Sequence, residues 1–205
     1  MGLLDGAWGY LSGPMEYVAD HGVAWRRKFT RLVYEASLDI ALIDPTDKPG
    51  GKDIKMGEDK STQVELQSSG RFRELQEYVG KYRRFDLRFV DNMDFLICVV
   101  DPRVPQWGTS NEVYMGEDQH KPAFFICEGG LYNLPRWLFD VIEEITENDP
   151  EKALNETNVY ETAEEVIAEL GLLDSGVKPL SDEWVLVRRE IERRAEEHKR
   201  MYSKP

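Results

Sequence analysis

Cysteine is scarce in this chain. There are two in 205 residues, Cys98 and Cys127, too few for a disulfide scaffold. Each sits inside an apolar run, FLICVV and AFFICEG, so both are expected as buried free thiols of a reducing compartment. Histidine is also sparse. His21, His120 and His198 are scattered, and none has metal-ligand spacing to a partner, so neither a metal nor another cofactor is expected. No apolar stretch approaches the roughly 20 residues that cross a bilayer. The first residues lack the basic and long apolar regions of a secretory signal. A soluble cytoplasmic protein is the expectation. Positive charge is in deficit: 26 Lys and Arg stand against 39 Asp and Glu, a net charge of −13. Phosphate polymers and anionic lipid surfaces would be repelled, which argues against nucleic acid or membrane as partner. A single small anion can still be held by a helix N-terminus or one Arg. Internal repeats and low-complexity segments are lacking too.

What is present is ordinary globular material, 41% hydrophobic and 32% charged. The length suits one domain with an appendage. AWGYLSGPM (7–15) is a short aromatic run stopped by Gly13-Pro14, a strand and a sharp turn. Trp25, Phe29, Leu32, Val33 and Ala36 fall on one helical face, with Arg26, Arg27, Lys28 and Arg31 opposite. LDIALIDP (38–45) is a second strand. Strand, helix and strand in so short a span make a βαβ unit and imply a parallel sheet. Residues 46–61 are polar and rich in Gly, Lys and Asp, a mobile loop of the kind used as a lid. Residues 62–93 are helical with breaks at Gly70 and Gly80. DFLICVVD (94–101) is apolar without alternation, as suits a central strand covered on both faces. A helix over 109–119, a strand over 121–129 and a helix over 134–148 follow. Beyond 150 the pattern is helical. Thr162 and Glu165 form a capping box ahead of Val166, Ile167 and Leu170. A last helix starts at Ser181 and ends in basic residues. Its Trp184, Val187 and Ile191 are placed to dock on the domain or on a partner subunit. The expected fold is α/β: a flavodoxin- or Rossmann-like parallel sheet of about five strands flanked by helices. Residues 1–150 form the domain and 151–205 a helical C-terminal extension.

Ligands of such sheets bind at the carboxyl ends of the strands. The central strand runs through PRVPQWGTSNE into a helix. Gly108 and Thr109 form the turn, where free backbone N–H groups attract an anion or a sugar oxygen. Thr109 can cap the helix, and Glu112 in its first turn can point back across the strand ends. A structural reading competes, because T-x-x-E is also a capping box. At the neighbouring strand end stand Tyr10, Ser12 and Gly13.

Together these segments resemble the nucleoside 2-deoxyribosyltransferase family and the related 2′-deoxynucleoside 5′-phosphate N-glycosidases. The resemblance covers roughly residues 7–128. It rests on YLSGPM, FDLRFVDNMDFLICVVD, GTSNE and HKPAFF in that order. It implies that Glu112, in the G-T/S-x-x-E motif, is the nucleophile and that Tyr10 positions it. It places an Asp that touches the deoxyribose or base at Asp86, which is nominated to protonate the leaving base. Where the transferases often carry a further Asp, this chain has Gln106, able to hydrogen-bond a base edge but unable to act as an acid. A phosphate could sit near Ser12-Gly13 and Gly108-Thr109, with Arg26 or Arg84 adding charge. Relatives often complete the site from a neighbouring subunit, for which Asn133 is the candidate, and a homo-oligomer is implied. The expected activity is cleavage or transfer at the N-glycosidic bond of 2′-deoxyribonucleosides or their 5′-monophosphates. The expected partner is thus a small nucleoside or nucleotide. Two other functions compete. A nucleoside monophosphate phosphoribohydrolase also uses G-T-x-x-E, but normally behind a PGG that PQWGT lacks. A non-catalytic nucleotide-sensing module would use the C-terminal helices as an interaction surface.

Overall fold

Five parallel strands form one sheet in the order β2-β1-β3-β4-β5. The strands are β1 (Ala7–Ser12), β2 (Ile40–Ile43), β3 (Phe95–Val100), β4 (Ala123–Cys127) and β5 (Val159–Tyr160). The helices are α1 (Val23–Glu35), α2 (Met56–Ser68), α3 (Phe72–Asn92), α4 (Trp107–Asp118) and α5 (Ala163–Asp174). This computed structural model describes residues 2–47, 56–146, 149, 152–154, 157–181, 184 and 186, with the backbone alone at 56–60 and 82. The order is that of a flavodoxin-like doubly wound sheet, so the expected fold class holds. It also fixes the switch point: β1 pairs with β2 on one side and with β3 on the other, and ligands of such sheets bind between those two strand ends.

Side chains alternate between two apolar layers because successive residues of a strand face opposite ways. Tyr10, Leu96, Cys98, Val100, Phe125 and Cys127 face a layer with Val90 and Met93 at the end of α3 and Val113 of α4. Leu11, Phe95, Ile97 and Phe124 face the other layer, with Phe29 and Val33 of α1 and Val166, Leu170 and Leu173 of α5. Both faces being covered explains why FLICVV lacks alternation. Each large apolar side chain so buried contributes roughly 1.5–3 kcal/mol.

β1 ends at Ser12, and Gly13-Pro14 leaves the ladder as expected. Several other local expectations need correction. Gly70, with φ +71°, separates α2 from α3 as expected, but α3 runs unbroken through Gly80; an amphipathic helix of that length absorbs the ~1 kcal/mol cost of one Gly. The polar segment 46–61 is helical from Met56 on, and its residues 48–55 lie outside the described set. No long helix forms over the described residues 134–146. A short 3-10 turn, Arg136–Asp140, stands there instead. The apolar stretch that follows is interrupted by Glu143 and Glu144, and the Glu143 amide donates to Asn158 Oδ1 at 3.0 Å. Asn158 also donates to the Ala123 carbonyl at 2.9 Å, which seats β5 beside β4. The segment past 150 therefore supplies an edge strand as well as a helix. α5 carries the expected capping box of Thr162 and Glu165. Of the segment expected as a last helix, Ser181, Trp184 and Leu186 are described and none is helical; Trp184 is half-buried and Leu186 buried, while Val187, Ile191 and His198 lie outside the described residues.

Candidate active site

β1 delivers two hydroxyls to one carboxylate. Tyr10 and Ser12 are two apart, so both project to the same face of the sheet. Tyr10 OH donates to Glu112 Oε1 at 2.8 Å, and Ser12 Oγ donates to Glu112 Oε2. Tyr10 is fully buried and its ring stacks on Phe89 of α3. Glu112 comes from α4, which follows β3, so the three residues meet across the β1/β3 switch point. Glu112 lies in the second turn of α4, not the first. The helix begins at Trp107, and Thr109 is a buried residue inside it rather than its cap. The expected T-x-x-E capping box is absent. Gln106 occupies the N-cap position without a side-chain cap bond; its Nε2 instead donates to the Asp101 carbonyl at 2.7 Å, tying back the loop after β3. The bond to Tyr10 and Ser12, not capping, accounts for where the Glu112 carboxylate is held.

The electrostatics follow from enclosure. Glu112 keeps some exposed surface as a residue, yet its carboxylate is packed among Tyr10, Ser12 and neighbouring strands. Desolvation raises its pKa to about 7, against the downward pull of the Ser12 and Tyr10 hydrogen bonds. The nearby Asp86 carboxylate raises it further and the Arg26 guanidinium lowers it. Burial, followed by the charges of Glu112 and Asp86, also pushes the Tyr10 phenol well above its ordinary value. Tyr10 is thus a fixed donor throughout the physiological range. Cys98, a buried free thiol, is raised by burial and then by Glu112, and so is no competing nucleophile.

The remaining expected residues divide. Asp86 sits half-buried on α3, close enough for its charge to act on both Tyr10 and Glu112. Gly13 is buried where the chain leaves β1; a Cβ there would come within 2.7 Å of the Trp25 ring. Gly108 is exposed with open space around it. Gln106 lines a cavity of about 480 Å³ together with Trp107, Thr109 and Trp137. Its Oε1 is buried without a hydrogen-bond partner. Asn133 is exposed on the turn after β4 and donates to the Glu128 carbonyl at 2.8 Å. Arg84 is exposed on α3. Arg26, placed by periodicity on the solvent face of α1, is instead fully buried. Its guanidinium donates to the carbonyls of Leu11, Gly13 and Gly22 at 3.2, 3.1 and 3.0 Å, leaving it no surface to offer a phosphate. The spacing held the signal: Arg26 shares a face with Phe29 and Val33 at i+3 and i+7.

Asp20 went unnoticed in the sequence. Its carboxylate accepts from the Gly22 and Ala24 amides at 3.0 and 2.8 Å, so an internal anion already occupies the N-terminus of α1. Among the described residues no His, Cys, Asp and Glu cluster could hold a metal ion, and no helix is long and apolar enough to cross a membrane. No protein-family model and no curated protein matches the chain. A functional reading therefore stands on the geometry of the site.

Proposed function

We propose that the chain breaks, or transfers a sugar across, the N-glycosidic bond of 2′-deoxyribonucleosides or their 5′-monophosphates, with Glu112 as nucleophile. The observation that carries this reading is the Glu112 carboxylate at the β1/β3 switch point, both of its oxygens held by Tyr10 and Ser12. An oxygen nucleophile must be aimed and only lightly solvated, and both conditions are met here. One carboxylate oxygen attacks C1′ as the C1′–N bond breaks. The bonding pair leaves with the base, which takes a proton from an acid; Asp86 is the nominee. Positive charge builds on the sugar ring in the transition state, and the carboxylate beneath it is the complementary charge. The resulting deoxyribosyl ester is resolved by water or by the nitrogen of a second base, which regenerates Glu112. Gln106 cannot supply the proton.

A 5′-phosphate, where present, has the open end of α4 at Gly108-Thr109 as its berth, since Asp20 fills that of α1. Exposed Trp107, Tyr132 and Trp137 around the strand ends favour a homo-oligomer, and the low cysteine content favours a cytoplasmic setting. The deciding assay is release of free base from a panel of deoxynucleosides and deoxynucleoside monophosphates, with and without an acceptor base. Exchange of bases identifies a transferase and release without exchange a hydrolase. Binding without base release, unchanged in Glu112→Ala, would overturn the reading in favour of a sensing module.

A further inference from the structure

We propose that Arg26 is a positioning residue for this reaction: its buried guanidinium ties down the carbonyls on either side of Ser12 and so fixes the hydroxyl that holds Glu112. The proposal rests on the glycosidic reading of the site for its kinetic part alone. Burying a guanidinium is expensive unless every donor finds a partner. Arg26 is 0% exposed, and burial pulls its pKa below the ordinary value. Its Nε reaches the Leu11 carbonyl, its Nη2 the Gly13 carbonyl and its Nη1 the Gly22 carbonyl. Leu11 and Gly13 flank Ser12 in the chain. Holding both carbonyls pins the peptide that enters Ser12 and the Gly13-Pro14 peptide one residue beyond it, which confines the backbone of Ser12 and with it the direction of its Oγ. Packing of α1 alone does not call for a cation here, because Phe29 and Val33 already anchor that face in an apolar layer.

The same group is linked by charge to both ends of the switch point. Asp44, at the end of β2, lies 3.6 Å from Arg26 Nε and supports its charged form. Asp20 of the loop before α1, Tyr10 and Glu112 act on it in the same sense. Around Glu112 stand Tyr10 and Ser12 of β1, Asp86 of α3, Cys98 of β3 and Arg26 of α1. Arg26 is the one cation among those groups, and it favours the ionised nucleophile.

The test is a 13C titration of the Glu112 carboxyl in the full chain, its resonance assigned with Glu112→Gln, alongside pH profiles of base release. Arg26→Gln should raise the Glu112 midpoint by about one pH unit, and the acid limb of activity should move with it. Arg26→Lys keeps the charge but lacks the planar fork whose three nitrogens meet the Leu11, Gly13 and Gly22 carbonyls at once. Its midpoint should rise less than in Arg26→Gln, because the charge stays while the Ser12 hydroxyl loosens, and kcat should fall about tenfold or more while KM holds. A structural role alone would not produce that split. An unmoved midpoint in Arg26→Gln overturns the proposal. If the Arg26 variants fail to fold, Asp44→Asn decides. It keeps the Oδ1 acceptor used by the Thr46 amide and hydroxyl and removes the opposing charge, so the Glu112 midpoint must fall, and a midpoint that does not fall overturns the proposal. Wild-type protein that releases no base from any substrate refutes the glycosidic function, while the titration still reports whether Arg26 governs Glu112.

Discussion

Glu112 stores a conflict between folding and chemistry. Its pKa is raised from 4.5 to about 7, chiefly by desolvation, so the folded chain holds a proton that the unfolded chain has lost. Stability from this group is complete below about pH 4.5 and is lost as pH rises to about 7. The loss amounts to roughly 3 kcal/mol at pH 8. Glu112→Gln removes the charge and keeps an acceptor for Tyr10. It should stabilise the protein at pH 8 by an amount of that order, seen as a higher urea midpoint, and flatten the stability profile between pH 4.5 and 7. The same variant should lower base release by about 10³-fold or more, because an amide cannot form the sugar ester. A variant that loses stability at pH 8, or keeps its activity, would show that the carboxylate is neither strained nor the nucleophile. Wild-type activity should rise with pH toward about 7 as the carboxylate ionises, and fall again where the acid that protonates the leaving base loses its proton. Ser12→Ala should move the rising limb upward, and Tyr10→Phe should move it less, since the Ser12 bond lowers the Glu112 pKa more than the Tyr10 bond does. The reverse ranking in the two pH–rate profiles would contradict that order.

At the scale of elements, the site depends on how closely α4 lies on the sheet. Gly116, one turn beyond Glu112, is buried in α4, and a Cβ there would meet Leu96 Cδ1 at 2.9 Å. Gly116→Val adds branched bulk at that contact and should lift α4 off β3. The cost is about 1–3 kcal/mol of stability, with a much larger fractional loss of base release, because Glu112 rides on the same helix. Equal activity in the variant, measured where it is fully folded, would mean that α4 does not set the position of Glu112. The sequence made such elements legible where one signal dominated. FLICVV and AFFIC, short and apolar without alternation, suited strands buried on both faces, and Thr162 with Glu165 announced the start of α5. The pairing of Tyr10 with Glu112 followed from the family resemblance combined with the strand-end rule. Other features hung on tertiary contacts. β5 is a two-residue strand, too short for any periodicity and seated by the Asn158 side chain. The helix expected over 134–148 was lost to that same Asn158. Arg26 went to the wrong face because a cation defaults to solvent, and only the three carbonyls waiting for it reverse the default.

Across the whole molecule, the two apolar layers divide the work. The layer beneath α3 and α4 carries Tyr10 and Cys98 and adjoins Glu112. The opposite layer, beneath α1 and α5, holds no part of the carboxylate site except through Arg26. Trp184 reaches that second layer from far along the chain and packs its ring against Phe95 and Phe124, with centroids 5.5 and 6.0 Å apart. It joins the C-terminal segment to the central strands without approaching Glu112. Trp184→Ala should therefore cost about 2–3 kcal/mol, at or below the low end for an aromatic truncation because the residue is only half-buried. The acid limb of the pH–rate profile should stay near 7, since no charge and no hydrogen bond at Glu112 changes. Urea unfolding and the rate profile of the same sample give both readings. An unchanged urea midpoint would mean that the segment rests on the sheet without stabilising it. A shifted limb would mean that the two layers are coupled through β3, whose Phe95 and Cys98 face opposite sides of one strand, and that packing on one face of the sheet tunes the nucleophile on the other.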